Sequence, residues 1–128
     1  MSTLESRIRK DESRILLHLW GSIDAGDSLQ QLILNPSKLR DPASHLKIME
    51  MLRMVQTGLC VFLYWEGDDE HTLACPIEGY GYIDFEKIDG ILDPKIEGYT
   101  GNLIIKMKNE TKEPKHFMLQ LELSKQRG

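Results

Sequence analysis

The chain has 128 residues, of which 41% are hydrophobic and 28% are charged, a composition typical of a globular domain. A chain of this length buries roughly two thirds of the surface that its unfolded form exposes, so it can fold without a metal ion or a disulfide bond. The formal net charge of -4 supplies no positive field for a phosphate backbone. Because we find neither a membrane-spanning apolar stretch nor a signal peptide, we expect a single soluble, cytoplasmic domain over residues 1–128.

Residues 4–20 have the spacing of an amphipathic helix. Their apolar positions recur at multiples of three to four, at Leu4, Ile8, Ile15 and Leu19. Charged residues between these positions would lie on the opposite face. Gly21 follows directly, as is usual for the residue beyond the last turn of a helix. The pattern therefore predicts a first helix that ends at Trp20.

A second, shorter helix is predicted after Asp27. Leu29, Leu32 and Ile33 share one face of such a helix. The helix must end before Pro36, because the residue that precedes a proline avoids the helical region. We therefore expect about two turns.

The third predicted helix has the clearest start and end signals. Asp41 is the expected N-cap, Pro42 occupies the first helical position, and Gly58 ends the helix. Its inward face takes the apolar residues Leu46, Ile48, Met49, Leu52 and Val55.

After Gly58 the apolar period changes from helical to alternating, which indicates strands. Five strands are expected, at residues 59–65, 71–77, 79–85, 103–108 and 117–123. Residues 66–70 carry the glycine and aspartate residues of a hairpin turn, and a short turn of helix is expected around residues 88–92. Helices followed by strands predict an α+β fold. Its three N-terminal helices (about residues 3–57) would pack on one face of a mainly antiparallel sheet of about five strands (about residues 59–124).

Side chains with distinctive chemistry are scattered along the sequence. Cys60 and Cys75 lie in the two strands of the predicted hairpin, opposite each other or one register step apart, and two reduced thiols are favoured over a redox pair. The histidines lack metal-ligand spacing, and no phosphate-binding or nucleophile motif is present. We therefore assign no catalytic residue, metal or cofactor, and the sequence leans against an enzyme. Asn109-Glu110-Thr111 matches the glycosylation pattern but is interpreted as a polar turn.

The favoured hypothesis is a non-enzymatic protein–protein interaction module: a small adaptor, chaperone-like or inhibitor protein that binds another protein or forms a homodimer. The methionines of the third predicted helix cannot all face the core, and methionine on a surface is an adaptable contact. The residues assigned to the partner-binding surface are Met51, Met54, Met118, Tyr80 and Tyr82.

Two alternatives stay open. One is a small-ligand-binding protein or an enzyme with a pocket between helices and sheet, and it would use Tyr64, His71, Tyr80, Asp68 and Asp69. The other is single-stranded nucleic-acid binding through the first predicted helix, and it would use Arg7, Arg9, Lys10 and Arg14. The second is disfavoured because acidic residues interleave with these basic ones.

Overall fold

The computed structural model describes residues 1–43, 45–68, 71–92 and 99–126, and within these ranges the chain is built almost entirely of β-strands. The strands are β1 (Thr3–Asp11), β2 (Arg14–Ile23), β3 (Ser28–Leu34), β4 (His45–Val55), β5 (Leu59–Gly67), β6 (Thr72–Ile77), β7 (Tyr80–Asp84), β8 (Ile91–Leu92), β9 (Tyr99–Asn109) and β10 (Lys115–Gln126). Two short 3₁₀ turns, Pro36–Lys38 and Glu86–Ile88, are the helical elements of the described ranges. None of the helices there is long and apolar enough to cross a membrane.

The strands form two antiparallel sheets that share one hydrophobic core. The six-stranded sheet has the order β1-β2-β10-β4-β7, and β8 also pairs with β4. The four-stranded sheet has the order β3-β9-β5-β6. Alternate residues of the strands point between the sheets, as in a β-sandwich, and β10 buries Phe117, Leu119, Leu121 and Leu123 in this way.

The predicted α+β fold is wrong, and the first predicted helix shows why. Residues 3–23 form the hairpin of β1 and β2, in which Ile15, Leu17 and Leu19 are buried at alternate positions. Leu16 and Trp20, on the other face of β2, are apolar as well. Apolar residues on both faces hide the period of two, so that a subset of them matches helical spacing. An ideal Cβ atom at Gly21 would lie 2.1 Å from the backbone oxygen of Thr3, so this glycine permits close approach of β1 and does not end a helix.

The second predicted helix is strand β3, and the third is strand β4. In β4 the register with β10 shifts between Glu122 and Leu123, which places one extra residue, Met49, in β4. Because of this bulge, the core residues Ile48 and Met51 are three positions apart, with the buried Met49 between them. Three is also a helical interval, and the bulge therefore gives a strand the apolar pattern of a helix. Asp41 and Pro42 lie in the loop before β4.

Of the five strands predicted after Gly58, those at residues 59–65, 103–108 and 117–123 lie within β5, β9 and β10. Those at residues 71–77 and 79–85 overlap β6 and β7 and extend one residue beyond them, at one end of β6 and at both ends of β7. The turn of helix expected around residues 88–92 is a 3₁₀ turn at Glu86–Ile88, followed by β8. The division of the chain into a helical part and a sheet part is wrong, because β1, β2 and β4 belong to one sheet and β3 belongs to the other.

Asn109 is a fully buried polar residue at the end of β9. Its side-chain amide donates to the backbone oxygens of Ile23, at 2.9 Å, and Glu113, at 2.8 Å. Its carbonyl oxygen accepts from the backbone N–H of Thr111, at 2.9 Å, and from the Thr111 hydroxyl, at 2.6 Å. The residue therefore fixes the β9–β10 turn and ties it to the end of β2, with its hydrogen-bonding capacity satisfied.

Candidate binding face

The outer face of the six-stranded sheet presents a row of large apolar side chains. The register places Trp20 beside Met118, Met118 beside Met54, and Met54 beside Tyr80. Trp20, Met54 and Tyr80 are 37%, 46% and 59% exposed, and Met118 is half-buried. We name these four residues the Trp20 row. It crosses four adjacent strands, so its ends lie about 14 Å apart at the usual strand spacing.

A second row runs alongside the first. It comprises His18, Gln120, Leu52 and Tyr82. The rings of His18 and Trp20 lie 4.9 Å apart, and burial, followed by the positive charge of Arg9, lowers the pKa of His18. The imidazole is therefore neutral at pH 7, and its buried Nε2 atom has no hydrogen-bond partner in the described part of the chain.

Beyond the second row lies a polar boundary built around two glutamates. Glu122 and Glu50 are directly opposite each other on β10 and β4, and the Tyr82 hydroxyl donates to Glu50. Arg14 donates to Glu86 at 2.7 Å and to Glu122 at 3.5 Å. These contacts reach across the sheet alongside the second row, on the side away from the Trp20 row.

The two opposed carboxyl groups behave as one titrating pair. Their mutual hydrogen bond raises the pKa of Glu122, and the same bond, together with the Tyr82 hydroxyl, lowers the pKa of Glu50. The bond to Glu50 raises the pKa of Tyr82 to about 12. A proton is therefore held on Glu122 more readily than on an isolated glutamate, which limits repulsion within the pair.

A shallow groove of about 250 Å³ opens along the other side of the Trp20 row, away from the second row. It is lined by Met54, Gln56, Tyr80, His116, Phe117 and Met118. Gln56 accepts a hydrogen bond from the backbone N–H of His116 at 2.7 Å, which fixes one wall. The face thus combines an apolar strip, a groove and a polar boundary.

Four of the five residues predicted for partner binding share this face: Met54, Met118, Tyr80 and Tyr82. Met51 does not, because it points into the core and is 1% exposed. Trp20 and the Glu50–Glu122 pair were not among the predicted site residues. Trp20 could have been found by reading residues 14–23 as a strand, whereas the glutamates become neighbours only through the register of β4 with β10.

The residues of the ligand-binding alternative do not converge. Tyr64 and His71 lie on and beside β5 of the four-stranded sheet, whereas Tyr80 belongs to the six-stranded sheet. The Lys106 ammonium group lies 4.7 Å from the centre of the Tyr64 ring, and His71 accepts from the backbone N–H of Gly67. Asp68 is exposed at the end of β5, and Asp69 lies outside the described residues. The proposed pocket between helices and sheet has no counterpart in a sandwich of two sheets.

The four basic residues of the nucleic-acid alternative do not form a helical face. Three lie on edge strand β1 and one on β2: Arg7, Arg9, Lys10 and Arg14. Arg14 is held by Glu86 and Glu122, and Lys10 lies 3.8 Å from Glu12. Acidic partners therefore neutralise part of this basic set.

Cys60 and Cys75 are both free thiols. The predicted pairings are wrong, because Cys75 lies opposite Leu63 in the β5–β6 register and Cys60 lies opposite Lys108 of β9. Burial raises the pKa of Cys75. Among the residues that the structure describes, no three histidine, cysteine, aspartate or glutamate side chains converge as metal ligands.

Comparison with known proteins gives similarity in fold alone. No protein-family model matches the sequence, and no curated protein matches it. The Yersinia pseudotuberculosis-derived mitogen matches with a TM-score of 0.51 at 10% identity, over 94% of this chain and 86% of that one. A mutant of the family 29 carbohydrate-binding module CBM29-2 gives a TM-score of 0.49 at 10% identity, over 98% of this chain and 93% of that one. A cupin domain from Bordetella pertussis Tohama I gives 0.36 at 10% identity, over 96% and 93%. Of these three structures, the mitogen has a TM-score above 0.5, and its similarity supports the fold alone.

Proposed function

We propose that this protein is a non-enzymatic protein-binding domain that contacts its partner with the outer face of the six-stranded sheet. The observation that carries the proposal is the Trp20 row, in which the register aligns tryptophan, tyrosine and two methionines across four strands. Tryptophan, tyrosine and methionine are enriched where proteins meet.

The arrangement of the face also favours a protein partner. Trp20, Met54 and Tyr80 keep between a third and three fifths of their surface in water, so contact with a partner would remove apolar area that the fold leaves exposed. The Glu50–Glu122 pair and Arg14 bound this strip on one side. An apolar centre with a polar rim is the usual anatomy of a protein interface.

The proposal includes a cytoplasmic location. The two free thiols, Cys60 and Cys75, are compatible with a reducing compartment.

Site-specific photo-crosslinking in cells that express the protein tests this proposal. The photoreactive residue p-benzoylphenylalanine replaces Tyr80 on the proposed face or, as a matched control, Leu73 on the four-stranded sheet; these residues are 59% and 48% exposed. Irradiation should yield a discrete adduct from position 80 and none from position 73. The adduct should disappear when Met54→Glu is added, because a charge beside Tyr80 opposes burial.

The captured protein is then identified by mass spectrometry, purified, and titrated against wild type and the Met54→Glu variant by calorimetry. Equal adduct yields at positions 80 and 73, or no adduct from either, would contradict the proposal. Circular dichroism of each variant establishes that the fold is retained.

A further inference from the structure

In the described part of the chain, four strands longer than the two-residue β8 lie at sheet edges, and they differ in how they are protected against pairing with another chain. Edge strand β1 carries Arg7, Arg9 and Lys10, β7 ends in Asp84, and β6 contains Pro76. Charges and prolines on an edge are the usual protection, because neither is easily accommodated in a new ladder of hydrogen bonds. Strand β3, at the edge of the four-stranded sheet, contains no charged residue and no proline over its seven residues. Its register with β9 shifts at Ile33, so the regularly paired part of this edge is Ser28–Leu32.

Strand β3 is also accessible. Ser28, Gln30 and Gln31 are exposed, and Leu32 is 43% exposed. Among the residues that the structure describes, the strand is paired on one side, with β9, and is the last strand of its sheet. Its other side therefore presents backbone N–H and C=O groups in a row that a second strand can extend.

We infer that β3 pairs with β3 of a second copy of this chain, so that two four-stranded sheets join into one continuous sheet. Gln31 is the middle residue of the strand, and a two-fold axis there pairs the strands in antiparallel fashion. Gln30 of one copy then lies opposite Leu32 of the other, on the outer face. This inference goes beyond the proposed function, because it uses a different sheet and a different surface.

The absence of charge makes a second copy the fitting occupant. A two-fold axis places each residue of a strand opposite a residue of the identical strand. In a strand that carries charges of one sign, like charges would then lie close together and repel each other. No register of β3 against itself creates such a pair, because the strand is uncharged. If two copies joined through β1 instead, Arg7, Arg9 and Lys10 of both copies would enter the joined sheet, and their like charges would repel one another.

A groove beside β3 provides a place for side chains of the second copy. It has a volume of about 350 Å³ and is lined by Ser28, Leu29, Gln30, Phe62, Lys106, Met107 and Lys108. Gln30, Lys106 and Phe62 lie in one cross-strand row. With the axis at Gln31, Leu32 of the second copy extends this row by one position and covers part of the groove.

The test is the mass of the purified protein, measured by light scattering over a wide range of concentration. Wild type should rise from the 14.7 kDa of one chain toward twice that mass. The double variant Gln30→Lys, Leu32→Lys places lysines opposite lysines in the joined sheet and should weaken self-association by about tenfold or more. The control Ser6→Lys adds a lysine to exposed edge strand β1 and should leave the mass unchanged.

Either of two results would overturn the inference: a wild type that stays monomeric throughout, or a dimer that persists in the double variant at wild-type strength. A dimer lost in Met54→Glu but retained in the double variant would place self-association on the six-stranded sheet instead. A monomeric wild type that still gives the position-80 adduct would refute the β3 inference and leave the proposed function standing. Hydrogen exchange adds a separate readout, since the β3 amides should gain protection as the concentration rises.

Discussion

The outer faces of the two sheets carry aromatic residues in different surroundings. On the six-stranded sheet, Trp20 and Tyr80 have methionines between them in the same row. On the four-stranded sheet, Lys106 lies over the ring of Tyr64 and beside Phe62 in the register. A lysine stem covers apolar surface while its ammonium group stays in water. The comparison teaches that similar aromatic content can yield an exposed apolar strip on one face and a lysine-covered aromatic surface on the other.

The largest effects on stability should come from substitutions on the inner faces of the two sheets, because both inner faces contribute to the same core. Leu119 of the six-stranded sheet and Leu63 of the four-stranded sheet are both 0% exposed. Leu119→Ala and Leu63→Ala should each lower the free energy of unfolding by about 2–5 kcal/mol, because each leaves a cavity in the shared core. Urea denaturation followed by circular dichroism measures both. A lower free energy of unfolding in one variant only would show that the two sheets do not belong to one cooperative unit.

A second pair of substitutions tests whether the outer faces differ in binding. Trp20 is 37% exposed and Phe62 is 36% exposed, so the two sites are matched in accessibility. Trp20→Ala should lower affinity for the captured partner by about 2 kcal/mol, roughly thirtyfold, as truncation of an interface tryptophan often does. Phe62→Ala should leave affinity unchanged in the same calorimetric titration. Equal losses would mean that the partner does not distinguish the two faces.

Removal of a covering lysine should make the four-stranded face resemble the six-stranded one. Lys106→Ala exposes the ring of Tyr64 and should cost about 0.5–1 kcal/mol of stability, the usual contribution of a cation near an exposed aromatic ring. Binding of a hydrophobic dye to the folded protein should rise at the same time. Lys108→Ala serves as the control, since the Lys108 ammonium group pairs with Glu110 at 3.1 Å. No rise in dye binding for Lys106→Ala would contradict the covering role.

The smallest expected effect concerns the titrating pair. Because the pKa of Glu122 is raised in the folded state, the stability it contributes is present below the ordinary glutamate pKa of 4.5 and is lost as pH rises through the folded value. Glu122→Gln keeps a hydrogen-bond donor for Glu50 and should raise stability at pH 7 by a few tenths of a kcal/mol. This gain should vanish below pH 4.5. Thermal unfolding at several pH values measures it, with Glu5→Gln, opposite Trp20 on the same face, as the control. A gain that is independent of pH would exclude a shared proton.

The sequence predicted the strands of the second half better than those of the first, and the reason lies in particular residues. In β10 the buried Leu119, Leu121 and Leu123 alternate with polar residues, which only a half-buried strand explains. In β2 the outward Leu16 and Trp20 are apolar, and in β4 the bulge at Met49 breaks the alternation. Bulges and long-range pairings depend on the neighbouring strand, so a local pattern contains no signal for them.

The candidate face was predictable to the extent that it depends on composition. Met54, Met118, Tyr80 and Tyr82 are identifiable in sequence as surplus apolar or aromatic residues, although the reason given for Met54, a helix surface, was wrong. Their alignment in adjacent strands requires the order β2-β10-β4-β7, which joins segments from both ends of the chain. The opposition of Glu50 and Glu122 depends on the same order and could not be predicted locally.

The buried position of Asn109 also bears on covalent modification. Asn109-Glu110-Thr111 has the residues that an oligosaccharide transferase recognises, but the acceptor amide is 0% exposed and donates both of its hydrogens to backbone oxygens. The Thr111 hydroxyl is engaged by the same asparagine. The folded domain is therefore closed to sugar attachment at this site. A chain glycosylated there before folding would lose the contacts that join the β9–β10 turn to β2.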